Sequence, residues 1–85
     1  MVTKERIKAE IDATVRKMLT VGPEEINGNC LLRDDIGMDS IDIVELILHL
    51  GKRYRIEFTS AEEDHITDMT INQVVELVYS KCNKA

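Results

Sequence analysis

Isoleucine, valine, methionine and leucine recur near the start of the chain at spacings of three and four. Ile7, Ile11, Val15, Met18 and Leu19 fall on one side of a helical wheel between Thr3 and Thr20, with charged residues between them. This period predicts an amphipathic helix with a single buried stripe. Gly22-Pro23 ends it, because glycine disfavours helix and proline lacks a backbone donor. From Glu24 to Met38 the period disappears, and Asn27-Gly28, Asn29 and Gly37 supply turn residues, which predicts a long first loop.

The period returns at Asp39. That residue is a good N-cap, and Asp42 places a second carboxylate in the first turn, where the helix dipole is positive. From Ser40 to about Tyr54 there are two apolar stripes, Ile43-Ile47-Leu50-Tyr54 and Ile41-Val44-Leu48, with Leu46 beside the first. A helix apolar over more than one face is either the centre of the core or the owner of a docking surface. Ser60-Ala61-Glu62-Glu63 fits the S-x-x-E capping box and predicts a short helix ending near His65-Ile66. Thr70-Ile71-Asn72-Gln73 fits the same rule and opens a last helix, whose inner stripe is Ile71, Val74, Val75, Val78 and Cys82.

No segment shows convincing strand alternation; Val74-Val75 and Arg55-Ile56-Glu57-Phe58 are the short ambiguous stretches. The expected fold is all-α: a small four-helix bundle with three longer helices, one short helix and a long first loop. Eighty-five residues make room for one core, so residues 1–85 are expected to form one domain.

Charge narrows the range of partners. Sixteen acidic residues against eleven basic ones leave a net charge of −5, which disfavours nucleic acid and favours a basic protein surface. No apolar run approaches the roughly 20 residues of a membrane span, so a cytoplasmic monomer is expected. Cys30 and Cys82 form no C-x-x-C pair, and His49 and His65 have no companion at ligand spacing, so no metal site is expected. Asp34, Asp35, Asp39 and Asp42 invite a calcium reading, but the D-x-[DN]-x-[DN]-G loop of an EF-hand with a glutamate at its twelfth position is absent. There is no arrangement suggesting a catalytic triad, so no catalytic residue is assigned.

One segment carries a specific signal. Leu32-Arg33-Asp34-Asp35-Ile36-Gly37-Met38-Asp39-Ser40-Ile41-Asp42-Ile43-Val44-Glu45-Leu46 resembles the phosphopantetheine attachment region of acyl carrier proteins, and the likeness in helix order extends over nearly the whole chain. The residues themselves make physical sense of it. A serine in the first turn of a helix presents its hydroxyl at the end of a loop, beside backbone N–H groups without helical partners, where a phosphate is favoured.

The resemblance implies that a separate phosphopantetheinyl transferase moves 4'-phosphopantetheine from coenzyme A onto Ser40, forming a covalent phosphodiester. The arm's thiol then carries acyl groups as thioesters among acyl-transferring and chain-extending enzymes of fatty acid, polyketide or specialised acyl biosynthesis. It implies a carrier and not an enzyme. Asp39, Ile41, Asp42, Glu45 and Leu48 match positions that contribute to recognition by basic partner enzymes in the family, where charge steers the encounter and aliphatic groups fill pockets. The competing roles are local: Asp39 and Asp42 as caps, Ile41 and Leu48 as core.

A helical bundle of modest stability can part its helices to admit an acyl chain, and Val44, Ile47, Phe58, Ile66 and Val75 are the candidate lining. Two departures from the family's pattern suggest a specialised carrier. Gly51-Lys52-Arg53-Tyr54-Arg55 replaces an acidic stretch at the end of the second helix, and Thr59 stands where many members have proline. The basic residues also suit the negative end of the helix dipole. An aminoacyl or D-alanyl carrier is the nearest alternative; an unmodified helical adaptor that binds partner helices is the alternative of a different class.

Overall fold

The computed structural model describes residues 2–19 and 26–83. Thr3 caps the first helix by accepting a hydrogen bond from the Arg6 amide, and α1 runs from Lys4 to Met18. Ile7, Ile11 and Val15 are buried, and Met18 and Leu19 pack partly against the same core. The Gly22-Pro23 stop lies outside the described residues, as do Thr20 and the start of the first loop.

Three further helices follow: α2 over Ser40–Tyr54, α3 over Ser60–Ile66 and α4 over Ile71–Cys82. Among the described residues there is no strand, so the all-α bundle of three longer helices and one short one is what forms. Val74-Val75 belongs to α4, and residues 56–59 are a connection without regular secondary structure. The helix α1 packs on both α4 and α2, and α3 closes against α2. Their inner faces meet in one core, in which Leu46, Leu50, Ile66, Ile71, Val74 and Val78 are fully buried.

The first loop contributes more than a connection. Ile26, Leu32, Ile36 and Met38 are all buried in the common core. Its backbone is tied to the turn before α4: Leu31 and Thr70 form an isolated antiparallel bridge, the Leu32 amide donates to the Met69 carbonyl, and the Ile71 amide donates to the Cys30 carbonyl. Nearby the Asn72 amide donates to the Gly28 carbonyl. A Cβ at Gly28 would displace the end of the exposed Asn72 side chain, so glycine lets that side chain lie close over the loop. The loop is thereby a fixed platform on which the start of α2 rests.

The short helix begins one residue earlier than its sequence suggests. Thr59, not Ser60, is the N-cap: its hydroxyl accepts from the Glu62 amide and its amide donates to the Glu62 carboxylate. Both Thr59-x-x-Glu62 and Ser60-x-x-Glu63 satisfy the capping rule. The choice falls on Glu62 because that carboxylate also receives Lys81 from α4 at 2.7 Å, whereas Glu63 is exposed. The departure at Thr59 therefore has a physical reason, since a proline there would offer neither the amide nor the hydroxyl.

Candidate functional site

Ser40 is the first residue of α2 and its side chain is exposed. Two features of the chain before it set this position. Gly37 adopts φ +88°, a conformation that side chains other than glycine rarely take, although a Cβ there would meet nothing within 4 Å. Conformation, not space, demands the glycine, and the surface beside the serine is open. Met38 then inserts into the core, which anchors the loop directly before the cap.

Asp39 closes the helix start with a full capping box. Its carboxylate accepts from the Asp42 amide at 2.9 Å, and its own amide donates to the Asp42 carboxylate at 3.3 Å. The Ile43 amide donates to the Asp39 carbonyl as the first helical bond. This leaves the Ser40 and Ile41 amides without a hydrogen-bond partner among the described residues. A hydroxyl beside two available N–H groups at the positive end of a 15-residue helix suits a phosphodiester. The residues present therefore fit a covalent phosphopantetheine.

The second stripe of α2 faces outward. Ile41 is 68% exposed, Val44 53% and Leu48 60%, while Ile43, Leu46, Ile47 and Leu50 are buried. The core role for Ile41 and Leu48 is thus overturned, and the cap role for Asp39 and Asp42 is present in the structure. Ser40, Ile41, Val44 and Glu45 line an open groove of about 270 Å³. Asp39 and Glu45 are exposed and Asp42 is half-buried, so the aliphatic strip lies among carboxylates. His49 points away from this surface: its Nε2 meets the Glu10 carboxylate of α1 at 2.8 Å.

Of the five residues expected to line a cargo pocket, four share the core and Val44 does not: Phe58 packs against the cluster that holds Ile47, Ile66 and Val75. Ile66 and Val75 are in the core, and Ile47 is 6% exposed. Phe58 shares an open groove with Ile47, Leu48, Gly51 and Ile56 at the junction of α2 with the chain leading into α3. Val44 lies on the outer face beside Ser40, because it stands one residue beyond the buried Ile43 and two before the buried Leu46. Sequence spacing does not reveal the fastening over Phe58, where Lys81 sits 5.4 Å from the ring centre while pairing with Glu62.

The basic end of α2 is also used internally. Arg53 reaches the second oxygen of Glu10 at 3.5 Å. The hydrogen bond to His49 holds the Glu10 carboxyl below the usual carboxylate range; burial opposes it, and the charges of His49 and Arg53 add to the lowering. Arg55 ends the helix in the left-handed conformation, φ 56°, with its amide donating to the Gly51 carbonyl. Cys30 and Cys82 are free and partly buried. Among the described residues no three His, Cys, Asp or Glu side chains gather as a metal site would require, and no helix is long and apolar enough to cross a membrane.

Comparison with known proteins agrees with this geometry. Residues 9–78 match the family model described as the phosphopantetheine attachment site. The acyl carrier protein of Wolinella succinogenes is 35% identical over 75 residues, covering 88% of this chain and 93% of its own. That of Amoebophilus asiaticus is 41% identical over 66 residues, 78% of this chain and 79% of its own. The acyl carrier protein of Cyanidium caldarium is 28% identical over 83 residues, 98% and 94% of the two chains. With most of its length inside the family model and a long alignment to these relatives, the chain belongs to the acyl carrier protein family, whose prosthetic group is 4'-phosphopantetheine.

Proposed function

We propose that Ser40 is the attachment residue and that this protein is a non-catalytic acyl carrier. The observation that carries the reading is the exposed Ser40 hydroxyl at the start of α2, next to two unclaimed amides and a strip of exposed aliphatic residues. When bound, the prosthetic group supplies a terminal thiol that holds acyl groups as thioesters. The chain's own residues do the rest. The capping box of Asp39 and Asp42 fixes the direction of the helix start, and the Ser40 and Ile41 amides face the negative charge of a phosphodiester on Ser40.

Recognition falls to Asp39, Ile41, Asp42, Glu45 and Leu48. Their carboxylates attract a basic enzyme surface, and Ile41 and Leu48 offer apolar groups that gain by burial in a partner pocket. A phosphopantetheinyl transferase and the enzymes that load, extend and unload acyl groups are the partners this face serves, in fatty acid, polyketide or specialised acyl biosynthesis. The cargo enters beside Phe58 and Ile47 and moves toward Ile66 and Val75 as α3 shifts from α2. Burying about six methylene groups there gives about 5 kcal/mol before the cost of opening the core. Acylation of the loaded protein is therefore expected to raise the melting temperature; an unchanged value contradicts the internal cargo site.

The attachment itself is tested by intact-protein mass after incubation with coenzyme A, magnesium and a broad-specificity phosphopantetheinyl transferase. The native chain is expected to gain one phosphopantetheine and Ser40→Ala none. No gain in either, with a control carrier modified in the same assay, favours an unmodified adaptor instead.

A further inference from the structure

A broad groove lies at the opposite end of α2 from Ser40. Val2, Arg6, Ala9, Glu10 and Ala13 of the α1 side and Arg53, Tyr54 and Arg55 of the α2 side line an open space of about 580 Å³. Three of the chain's five arginines meet there. Arg53 is engaged by Glu10, but Arg6 and Arg55 make no ion pair among the described residues. In a chain of net charge −5, this concentrates uncompensated positive charge on one concave surface with apolar side chains between the guanidinium groups.

We propose that this groove is a second docking surface that takes a carboxylate-rich segment of a partner protein, with an apolar side chain seated among Val2, Ala9 and Ala13. Arginine forks match carboxylates two bonds at a time, which a lysine cluster does not. The two ends of α2 are about 20 Å apart at the rise of a helix. A basic enzyme at the Ser40 end therefore leaves the groove open, and the carrier is held by one protein while it presents its arm to another. The concave shape and the overall negative charge favour a protein segment over an anionic membrane, which repels the rest of the molecule. The groove's occupant is independent of the reading of Ser40, whereas its use while the arm is presented rests on that reading.

The test is a titration of the isotope-labelled full chain with the peptide Glu-Glu-Phe-Glu-Glu, followed by backbone amide shifts. Saturable shifts are expected at Arg6, Ala9, Ala13, Arg53 and Arg55 and not at Ser40 to Glu45, and they weaken as salt rises. The double variant Arg6→Gln, Arg55→Asn is expected to bind about tenfold more weakly; asparagine tolerates the left-handed position. Arg6→Lys keeps the charge and serves as a milder second variant, expected to lie between the two. Four results overturn the proposal: no shifts, shifts centred on Ser40, equal shifts with Lys-Lys-Phe-Lys-Lys, or unchanged affinity in the folded variants. Binding to phosphatidylglycerol vesicles without a response to the peptide assigns the groove to membranes and also overturns it. So does concentration-dependent broadening at both ends of α2 in the protein alone, which assigns the groove to a second copy of the chain.

Discussion

Two helices of this protein begin in the same way. At α2 the capping residue is Asp39 and the first helical residue is Ser40; at α3 they are Thr59 and Ser60. Each start has a complete capping box, each serine is exposed, and each is followed by acid in the first turn, Asp42 in α2 and Glu62 and Glu63 in α3. A serine at a helix start is therefore not sufficient to mark a site. The difference lies in the surroundings. Ser40 follows an open loop turned by Gly37 and precedes three exposed aliphatic residues, whereas Ser60 follows the half-buried Phe58 and precedes Glu62, which is tied to Lys81. The start of α2 leaves apolar groups open to solvent, and the start of α3 is tied into the fold.

The sharpest separation comes from the two faces of α2. Leu46→Ala empties a fully buried position and is expected to cost about 2–5 kcal/mol in urea unfolding. Leu48→Ala, two residues on and exposed, is expected to stay within about 0.5 kcal/mol. A comparable loss at both breaks the division into inner and outer faces. Next in size, Leu48→Glu is expected to lower kcat/KM for the transferase about tenfold, the cost of losing one apolar anchor. Glu63→Ala, on the first turn of α3, leaves that rate unchanged.

The caps give the next contrast. Asp39→Ala and Thr59→Ala are each expected to cost about 1 kcal/mol of stability, because each leaves a helix amide without its acceptor. Only Asp39→Ala is expected to slow the proposed modification of Ser40. Equal rates in the two variants show that the direction of the α2 start is irrelevant to the transferase. Smaller still, Glu62→Gln keeps the cap but loses the charge opposite Lys81, and is expected to cost about 0.5 kcal/mol.

Acid titration gives the most graded test. Glu10 is held below the ordinary carboxylate value of 4.5 by its bond to His49, and Glu62 by its bond to Lys81. A carboxyl whose folded-state pKa is depressed stabilises the fold fully above its ordinary pKa and loses that contribution as pH falls through the folded-state value. Stability is expected to decline below about pH 4.5 in the native protein, and less steeply in Glu62→Gln. Parallel curves contradict the role given to the Lys81 pair.

The helices were legible in the chain because their apolar residues repeat at helical spacing. Ile7, Ile11 and Val15, and Ile71, Val74, Val75 and Val78, all face the core as that spacing implies. Ser40 was legible as the first residue of α2 because Gly37 and Asp39 punctuate the chain before it. Three features were not legible. Leu32, Ile36 and Met38 have no period, so their burial depends on backbone bonds to the Met69–Ile71 turn that no local pattern encodes. The inward face of α2 was ambiguous because Ile41-Val44-Leu48 has the spacing of a core stripe, and only packing on α1 and α3 decides between the two. The pairing of Glu10 with His49 and Arg53 joins residues far apart in sequence, and it gives one residue of the basic end of α2 an internal partner.

The central claim is that one helix start, and not the other, receives the prosthetic group. The chain has three serines, Ser40, Ser60 and Ser80, so peptide mapping after transferase treatment decides it. The account predicts that the fragment with Ser40 alone gains phosphopantetheine, and that Ser60→Ala is modified as fast as the native chain. Modification at Ser60 or Ser80, or none while a control carrier is loaded, would contradict it.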